Sequence, residues 1–250
     1  MINQDVKNNI CTIQLCNGKA NTINEKLILR LKDVLDEAKV DENIYGVIIT
    51  GKDHFFSTGA DIETILNLKT EKNIVSFFRI LDELIFDLFS FPKPLISAIN
   101  GHSIGGGLLI QMCSDYCFVI KNEKIKFGFP EIKIGMSLDS LMEEVISFVI
   151  DNKKTVSKIL YSGNLFTTED AIEYQIIDEI FDTDELIIKS REKILKLVSG
   201  NIESFCALKK VIRKKALTNM ANYLCVNDYS DFVKLLGNKK TIIRLKEMME

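Results

Sequence analysis

The chain of 250 residues is poor in histidine and has no paired cysteine motif. Only His54 and His102 could serve as an imidazole base, which limits the catalytic mechanisms that remain open. The six cysteines form no Cys-x-x-Cys pair, and His102 is the only histidine near Cys113 and Cys117. We therefore expect no metal site, and free thiols that behave mostly as small buried apolar side chains.

Charge of one sign and long apolar runs are also missing. The 32 Lys+Arg residues nearly balance the 35 Asp+Glu residues, and the net charge of -3 argues against nucleic acid as a partner. Residues 1–7 carry no apolar leader, and no run of 18 apolar residues occurs. We therefore expect a cytoplasmic protein that does not bind membranes.

What is present is an alternation of short apolar segments with segments of helical periodicity. Strands are predicted over residues 10–15, 47–49, 95–99, 117–120, 125–127 and about 176–181. Helices are predicted over residues 27–38 with Asn24 as N-cap, over 74–89 and over 108–113. This alternation predicts an α/β fold. The last fifty residues look helical, so we expect a core over residues 1–200 and a helical C-terminal region over residues 201–250.

The segment Gly101-His102-Ser103-Ile104-Gly105 matches the G-x-S-x-G motif, which presents a nucleophilic serine between a strand and a helix. A serine hydrolase needs a histidine base, and in that fold the histidine follows the serine along the chain. No histidine follows position 102. A hydrolase with Ser103 as nucleophile is therefore the least favoured interpretation.

Glycine fills positions 105–107, directly before the predicted helix over 108–113. Glycine lets the backbone approach a ligand closely, and the first N–H groups of a helix have no partner within it. Such N–H groups can stabilise a developing oxyanion. Tight packing of a strand against a helix would also need glycines, so the triplet alone does not separate the two uses.

Several longer motifs occur in a fixed order. They are Phe-Phe-Ser-Thr-Gly-Ala-Asp-Ile over 55–62, Lys-Pro-Leu-Ile-Ser-Ala-Ile-Asn-Gly over 93–101, the glycine triplet, Ser-Asp at 114–115, Phe-Gly-Phe-Pro-Glu over 127–131, and Ile-Gly at 134–135. In this order and spacing they resemble the crotonase family of enoyl-CoA hydratases and isomerases. The resemblance covers about residues 5 to 200 and the helical tail loosely.

The resemblance implies a repeated ββα core with a helical C-terminal region, assembled as a homotrimer or a dimer of trimers. It implies a substrate held as a thioester of coenzyme A or of the phosphopantetheine of an acyl-carrier protein, with no separate cofactor. By motif position, the N–H groups of Ala60 and Gly106 would form an oxyanion hole. Three further matched positions are expected to contact the substrate: Ala20, whose backbone neighbourhood would meet the adenine, Asp61 and Ile62. Glu63 stands where the family often has a lysine, which puts one phosphate contact in doubt.

Hydratases of this family use two glutamates. The second is present as Glu131, but the first position holds Leu109, which we expect to contact the substrate instead. Addition of water between two glutamates cannot operate in this chain as it does in a full hydratase. Glu131 is then the main acid/base, with its pKa raised by apolar neighbours, for which the motif offers Phe127, Phe129 and Ile132.

A second carboxyl group, Asp139, lies eight residues after Glu131. Some family members that shift double bonds, the dienoyl-CoA isomerases and phenylacetate-pathway isomerases among them, carry a catalytic Asp or Glu in this position, so Asp139 is a candidate catalytic residue by resemblance. An acidic side chain at the start of a helix also stabilises that helix locally, and this interpretation of Asp139 stays open.

Two features of the tail bear on the reaction and its partners. Residues 227–230 and 241–244, with the opening 20–24, resemble the dehydratases of polyketide β-branching, which act on a carrier-protein substrate. A basic cluster, defined as Lys209, Lys210, Arg213, Lys214 and Lys215, is expected to form a solvated helix face. The alternative is that it attracts coenzyme A phosphates or an acidic carrier protein.

The sequence therefore predicts an enzyme that moves protons next to a thioester carbonyl through a stabilised enolate. Dehydration or hydration and double-bond isomerisation both remain open, with Glu131 as the acid/base. The alternative from another class is a family member that binds acyl thioesters without catalysis, since a fold alone does not confer an activity.

Overall fold

The structure of the chain is a computed structural model, and it describes residues 1–248. Within these residues, nine strands form two sheets, a six-stranded sheet in the order β1-β2-β3-β5-β7-β9 and a three-stranded sheet in the order β4-β6-β8. The strands are β1 (Ile2–Lys7), β2 (Ile10–Leu15), β3 (Gly46–Thr50), β4 (Phe55–Ser57), β5 (Leu95–Ile99), β6 (His102–Ile104), β7 (Tyr116–Ile120), β8 (Phe127–Gly128) and β9 (Glu179–Phe181).

The helices connect the strands and build the C-terminal region. They are α1 (Glu25–Val40), α2 (Ile62–Asn67), α3 (Glu71–Ser90), α4 (Gly106–Met112), α5 (Ser140–Val149), α6 (Lys153–Ser162), α7 (Thr168–Glu173), α8 (Leu186–Leu197), α9 (Ile202–Val226), α10 (Ser230–Leu236) and α11 (Lys239–Glu247). A short 3-10 helix spans Glu131–Ile134.

Three consecutive strand pairs repeat one arrangement. In β3–β4, β5–β6 and β7–β8, the first strand joins the large sheet and the second joins the small sheet. Helices α2 and α3 follow the first pair and α4 follows the second. Strand pairing among β3, β5 and β7, and among β4, β6 and β8, is parallel. The predicted α/β class and the implied repeated ββα core are confirmed.

The boundaries of most predicted elements are confirmed, with two strand corrections. The strand expected over residues 125–127 is the two-residue β8, because it forms its pairs at Phe127 and Gly128. The strand expected from residue 176 begins only at Glu179. Ile176 and Ile177 are buried, but their N–H groups bond to the carbonyl of Ala171 and close helix α7 instead.

Helix α3 shows how the apolar pattern positions the core. Thr70 caps its first turn by accepting from the Asn73 N–H, and the helix ends before Pro92. Its buried stripe includes Phe78, Leu81 and Ile85. Such a stripe packs against the core and leaves the opposite face polar.

The basic cluster of α9 is not a solvated face throughout, so that expectation is wrong for two of its five residues. Lys209 and Arg213 are buried, and both reach Asp115, at 2.6 Å and 2.9 Å. Arg213 also donates to the carbonyls of Phe89, Cys113 and Ser114. Residues 209 and 213 are four apart and therefore lie on one helix face, together with the buried Ala216 and Met220. Lys210, Lys214 and Lys215 are exposed.

Helix α9 begins at Ile202, close to the expected boundary at residue 200, and packs against α3 and α5. The division into a core over residues 1–200 and a C-terminal region over residues 201–250 stays a prediction. Within residues 1–248, no helix has the length and apolar composition needed to cross a bilayer. All six cysteines are free thiols.

Candidate active site

The candidate site lies where the three strands of the small sheet end. Because β4, β6 and β8 are parallel, the segments that follow them meet at one edge of this sheet. Ala60 follows β4, Gly106 follows β6, and Glu131 follows β8. The topology thus brings together three residues that are separated by 25 positions or more in the sequence.

The N–H group of Ala60 is directed away from its nearest pairing partner. Ile23 donates its N–H to the Gly59 carbonyl at 2.8 Å and accepts from the Asp61 N–H at 2.9 Å. These two bonds flank Ala60 in a parallel bridge, so the N–H of Ala60 itself points to the opposite side of the chain. Ala60 lines the cavity described below.

The N–H group of Gly106 is the second donor. Gly106 is the first residue of α4, and its N–H therefore has no acceptor within the helix. A Cβ at position 106 would lie 3.8 Å from the amide nitrogen of Ala60, so the two donors are neighbours. Gly59 makes this approach possible, because it has φ +82° and a Cβ there would lie 2.7 Å from the Gly106 nitrogen.

Glu131 opens the 3-10 helix after Pro130. A Cβ at Gly105 would lie 2.8 Å from its Oε1 atom, so glycine at 105 allows the carboxyl group to approach the start of α4. The Oε2 atom is buried and has no hydrogen-bond partner within residues 1–248. Burial away from water raises the pKa of Glu131 to about 7.

The predicted apolar surroundings of Glu131 need one correction. Phe127 and Phe129 are fully buried as expected, but Ile132 is 46% exposed and contributes little to a dry environment. Ile132 instead lies against Gly163. A Cβ added at Gly163 would lie 2.8 Å from the Cγ2 atom of Ile132.

A cavity of about 560 Å³ opens in front of these groups. Its walls are mainly apolar and come from α3, α4, the start of α5 and the C-terminal helices. Residues on these walls include Phe78, Leu81, Leu109, Leu138, Met142, Phe232 and Leu245. Among the described residues that line it, Glu131 is the only carboxylate and Lys133 the only cation. Lys133 donates to Asn164 at 2.7 Å.

The residue at position 109 determines whether the cavity has a second carboxylate besides Glu131, and that residue is Leu109. It lies in α4, is 1% exposed and lines the same cavity as Glu131. The cavity that holds Glu131 therefore has an apolar side chain at position 109, where hydratases of the family carry their first glutamate. Leu109 replaces the first glutamate of the hydratases. Among residues 1–248, no other carboxylate of the cavity wall takes the place of that glutamate.

The predicted substrate contacts divide into two groups. Ile62 lines the cavity. The Asp61 side chain instead caps α2, accepting from the Thr64 N–H at 2.9 Å and from the Thr22 hydroxyl at 3.1 Å. The Ala20 carbonyl accepts from the Thr58 N–H at 3.1 Å, which places residue 20 beside the cavity wall rather than in it.

Asp139 does not line this cavity. It is the N-cap of α5, and its Oδ1 accepts from the Met142 N–H at 2.8 Å. The local interpretation of this residue is therefore supported by its geometry. Its second oxygen is buried and, within residues 1–248, has no hydrogen-bond donor.

Sequence reasoning missed Asp82, whose carboxyl group lies next to that of Asp139. Asp82 lies in α3 and is fully buried. A signal was available, because position 82 falls between Phe78 and Ile85 on the apolar stripe of the helix. A charged residue type within such a stripe marks a buried polar group that needs a partner.

Ser103 is not a nucleophile at this site. It is fully buried in β6, and its hydroxyl has no partner among the described residues. His102 lies on the other side of the strand, where its Nδ1 accepts from the Lys126 N–H at 3.1 Å. The two side chains therefore cannot form a serine–histidine pair.

A family model described as enoyl-CoA hydratase/isomerase matches residues 5–242. The chain is 29% identical over 196 residues to the 2,3-dehydroadipyl-CoA hydratase of Escherichia coli K12, which covers 78% of this chain and 74% of the relative. It is 24% identical over 212 residues to the mitochondrial enoyl-CoA delta isomerase 1 of Mus musculus. This match covers 84% of this chain and 73% of the relative. The crystal structure of human mitochondrial delta3-delta2-enoyl-CoA isomerase superimposes with a TM-score of 0.92 at 18% identity, over 99% of this chain and 96% of that one.

Proposed function

The chain belongs to the enoyl-CoA hydratase/isomerase family, and on this premise we propose that it shifts a carbon–carbon double bond within the acyl group of a thioester. Membership makes it an enzyme of the hydratase or isomerase type. The observation that carries the choice of isomerisation is that Glu131 is the single carboxylate among the described residues that line the cavity, whose wall also holds the apolar Leu109.

The first step is removal of a proton from the substrate carbon chain. The ionised carboxylate of Glu131 takes a proton from the carbon between the thioester carbonyl and the double bond. The electron pair of that C–H bond moves into the carbonyl, and its oxygen gains negative charge. A pKa of about 7 suits a group that must first accept a proton and then return it near neutral pH.

The enolate oxygen would be stabilised by the N–H groups of Ala60 and Gly106. Both donors belong to backbone fixed by close packing at Gly59, so they need no rearrangement when the charge develops. Loss of one such donor typically raises the barrier by about 3–4 kcal/mol.

The second step returns the proton to a different carbon. Glu131 donates it to the carbon two positions further from the carbonyl, the electron pair leaves the carbonyl oxygen, and the double bond moves into conjugation with the thioester. The reaction needs one acid/base and no water. Addition of water would need a second group to position the nucleophile, and the apolar Leu109 does not supply it.

We propose an acyl-CoA substrate, with the thioester of a carrier protein as the second possibility. The mouse relative is named an enoyl-CoA delta isomerase, which supports coenzyme A. We also propose self-association, because three large apolar side chains of α9, Leu208, Val211 and Ile212, are each more than 60% exposed. A trimer would have about three times the 28.4 kDa mass of the chain by light scattering.

The experiment is product analysis in deuterated water. A 3-enoyl-CoA incubated with the protein is expected to yield the 2-enoyl-CoA, and Glu131→Gln should lower kcat by roughly 10²–10⁴-fold. Accumulation of a 3-hydroxyacyl product would show hydration instead. A protein that binds acyl-CoA but exchanges no proton with solvent would be a binder without catalysis, and turnover by Glu131→Gln at the wild-type rate would exclude Glu131 as the base.

A further inference from the structure

Two carboxyl groups that the proposed reaction does not use, the buried Asp82 and the half-buried Asp139, face each other between α3 and α5. Asp82 is fully buried, and neither of its oxygens accepts a hydrogen bond from a donor of suitable geometry within residues 1–248. The same is true of Oδ2 of Asp139. The two carboxyl groups lie within hydrogen-bonding reach of each other.

Among residues 1–248, no positive charge lies beside this pair. The groups that face Asp82 are Asp139 from the start of α5, the hydroxyl of Tyr229 before α10, and Glu83 on its own helix. Tyr223 of α9 faces Asp139. Glu83 is itself paired with Lys32 at 3.7 Å and with Arg79 at 3.2 Å, and those cations do not reach Asp82.

Two adjacent carboxylates resist being ionised together where burial weakens their hydration and no cation lies beside them. Both oxygens of Asp82 and Oδ2 of Asp139 lack a hydrogen-bond partner within residues 1–248, and one proton placed between the two carboxyl groups would satisfy one oxygen of each. We propose that Asp82 and Asp139 share a single proton and act as a positioning pair that holds helix α3 against the start of helix α5.

The two elements joined by this pair are two walls of the acyl cavity. Phe78 and Leu81, which precede Asp82 on the same helix, line the cavity from α3. Leu138 and Met142, on either side of Asp139, line it from the start of α5. The pair itself does not line it. The influence of the pair on binding of the acyl group rests on the proposed function. The existence of the shared proton does not depend on that function.

The direction of the pH effect follows from the proton balance. Burial and the neighbouring Asp139 raise the pKa of Asp82 to about 9, far above its ordinary value near 3.8. Between these values the folded protein binds a proton that the unfolded chain releases, so the stability from this proton is fully present at low pH and falls as the pH rises toward 9. Above that, two facing carboxylates repel each other.

The test compares the pH dependence of Tm for the wild type, Asp82→Asn, Asp139→Asn and the double variant. Asparagine at either position donates an amide hydrogen without titrating, and the Asp139→Asn side chain can still cap α5. Between pH 6 and 9 the wild-type Tm should fall more steeply than that of each variant, by roughly 2–4 °C per pH unit. The double variant should resemble the single ones, because either substitution removes the same proton.

Glu71→Gln is the matched control, since it removes an exposed carboxylate on the same helix that is not among the groups facing Asp82. Its Tm profile should run parallel to that of the wild type. Equal slopes for the wild type and Asp82→Asn would overturn the shared proton.

An infrared measurement covers the case in which a variant does not fold. At pH 8 the wild type should show the C=O band of a protonated carboxyl group, and Glu131→Gln should keep it, because Glu131 is mostly ionised there. Absence of this band in the wild type would overturn the proposal without any variant of the pair.

Binding of a saturated acyl-CoA, measured by calorimetry, tests the positioning role. We expect its Kd to rise several-fold in the wild type between pH 8 and 10, and to stay flat in Asp82→Asn. A flat wild-type Kd with the band present would reject the positioning role and retain the shared proton. No acyl-CoA binding at any pH would instead contradict the proposed function.

Discussion

The environments of Glu131 and Asp115 differ in one decisive respect. Both carboxyl groups are largely enclosed by protein, but Asp115 meets two cations, Lys209 and Arg213, and the Leu95 N–H at 2.8 Å. Glu131 meets no cation, its Oε2 has no donor within residues 1–248, and a cavity opens in front of it. A buried carboxylate whose acceptors are filled can only hold structure together, whereas one with a free oxygen and an open approach can take a proton.

The ion cluster around Asp115 joins α9 to the core. Its carboxylate anchors the start of β5 through Leu95, and Arg213 spans to the end of α3 through the Phe89 carbonyl. Removing a cation from water lowers the pKa of Lys209 to about 8, although Asp115 opposes this change. Such a cluster contributes to stability only while all its members are present, because each one left alone is a buried charge.

The largest expected effect is on stability. Asp115→Asn leaves Lys209 and Arg213 buried without a counter-charge and should lower the free energy of unfolding by about 3–5 kcal/mol. Urea unfolding measures this loss. Lys210→Gln, on the exposed side of the same helix, should change it by no more than about 0.5 kcal/mol. A loss for Asp115→Asn as small as that of the control would show that the cluster is not a structural unit.

A somewhat smaller effect is expected on catalysis at the start of α4. Gly106→Pro removes the second N–H donor while keeping a residue that suits the first helical position. Gly106→Ala adds the same Cβ, 3.2 Å from Cδ1 of Ile23, but keeps the N–H. We expect kcat of the proline variant to be lower than that of the alanine variant by roughly 10²–10³-fold. Equal kcat values for the two would argue against an oxyanion role for Gly106.

The smallest effect is a shift along the pH axis. With Glu131 as the base, kcat/KM should rise about tenfold per pH unit below pH 7 and level off above it, because only the ionised carboxylate accepts a proton. The pH at which kcat/KM reaches half of its plateau is the midpoint of this profile. Asp82→Asn should leave the midpoint unchanged, since Asp82 does not line the cavity. A midpoint near the ordinary value of 4.5 would mean that burial does not raise the pKa of Glu131 in solution.

Much of the fold could be predicted because its signals are local. The apolar segments at 10–15 and 95–99 and the periodicity of α1 and α3 match the observed elements, since each depends on neighbouring residues alone. Strands β4 and β6 were harder to predict from the sequence, because each is three residues long and lies within a glycine-containing motif. Their pairing with each other supplies a stabilisation that no local pattern reports.

The candidate site was predictable as a set of residues through motif order. Glu131, Leu109, Ala60, Gly106 and Ile62 do line one cavity. Ala20 and Asp61 do not, because their polar groups are already used by Thr58 and Thr64. Whether a polar side chain is free or already bonded depends on its neighbours in space, and this is where prediction from the sequence ended.

The sequence by itself determined the family, the α/β class and the absence of a second glutamate at position 109, since these are properties of residue order. Only the tertiary structure decided that Leu109 and Glu131 line one cavity, that Lys209 and Arg213 turn inward to Asp115, and that Asp82 meets Asp139. The last two residues are 57 positions apart, and both could have been taken for solvated helix charges. Their proximity arises from the packing of α3 on α5, and burial then changes the chemistry of groups whose identity the sequence had already set.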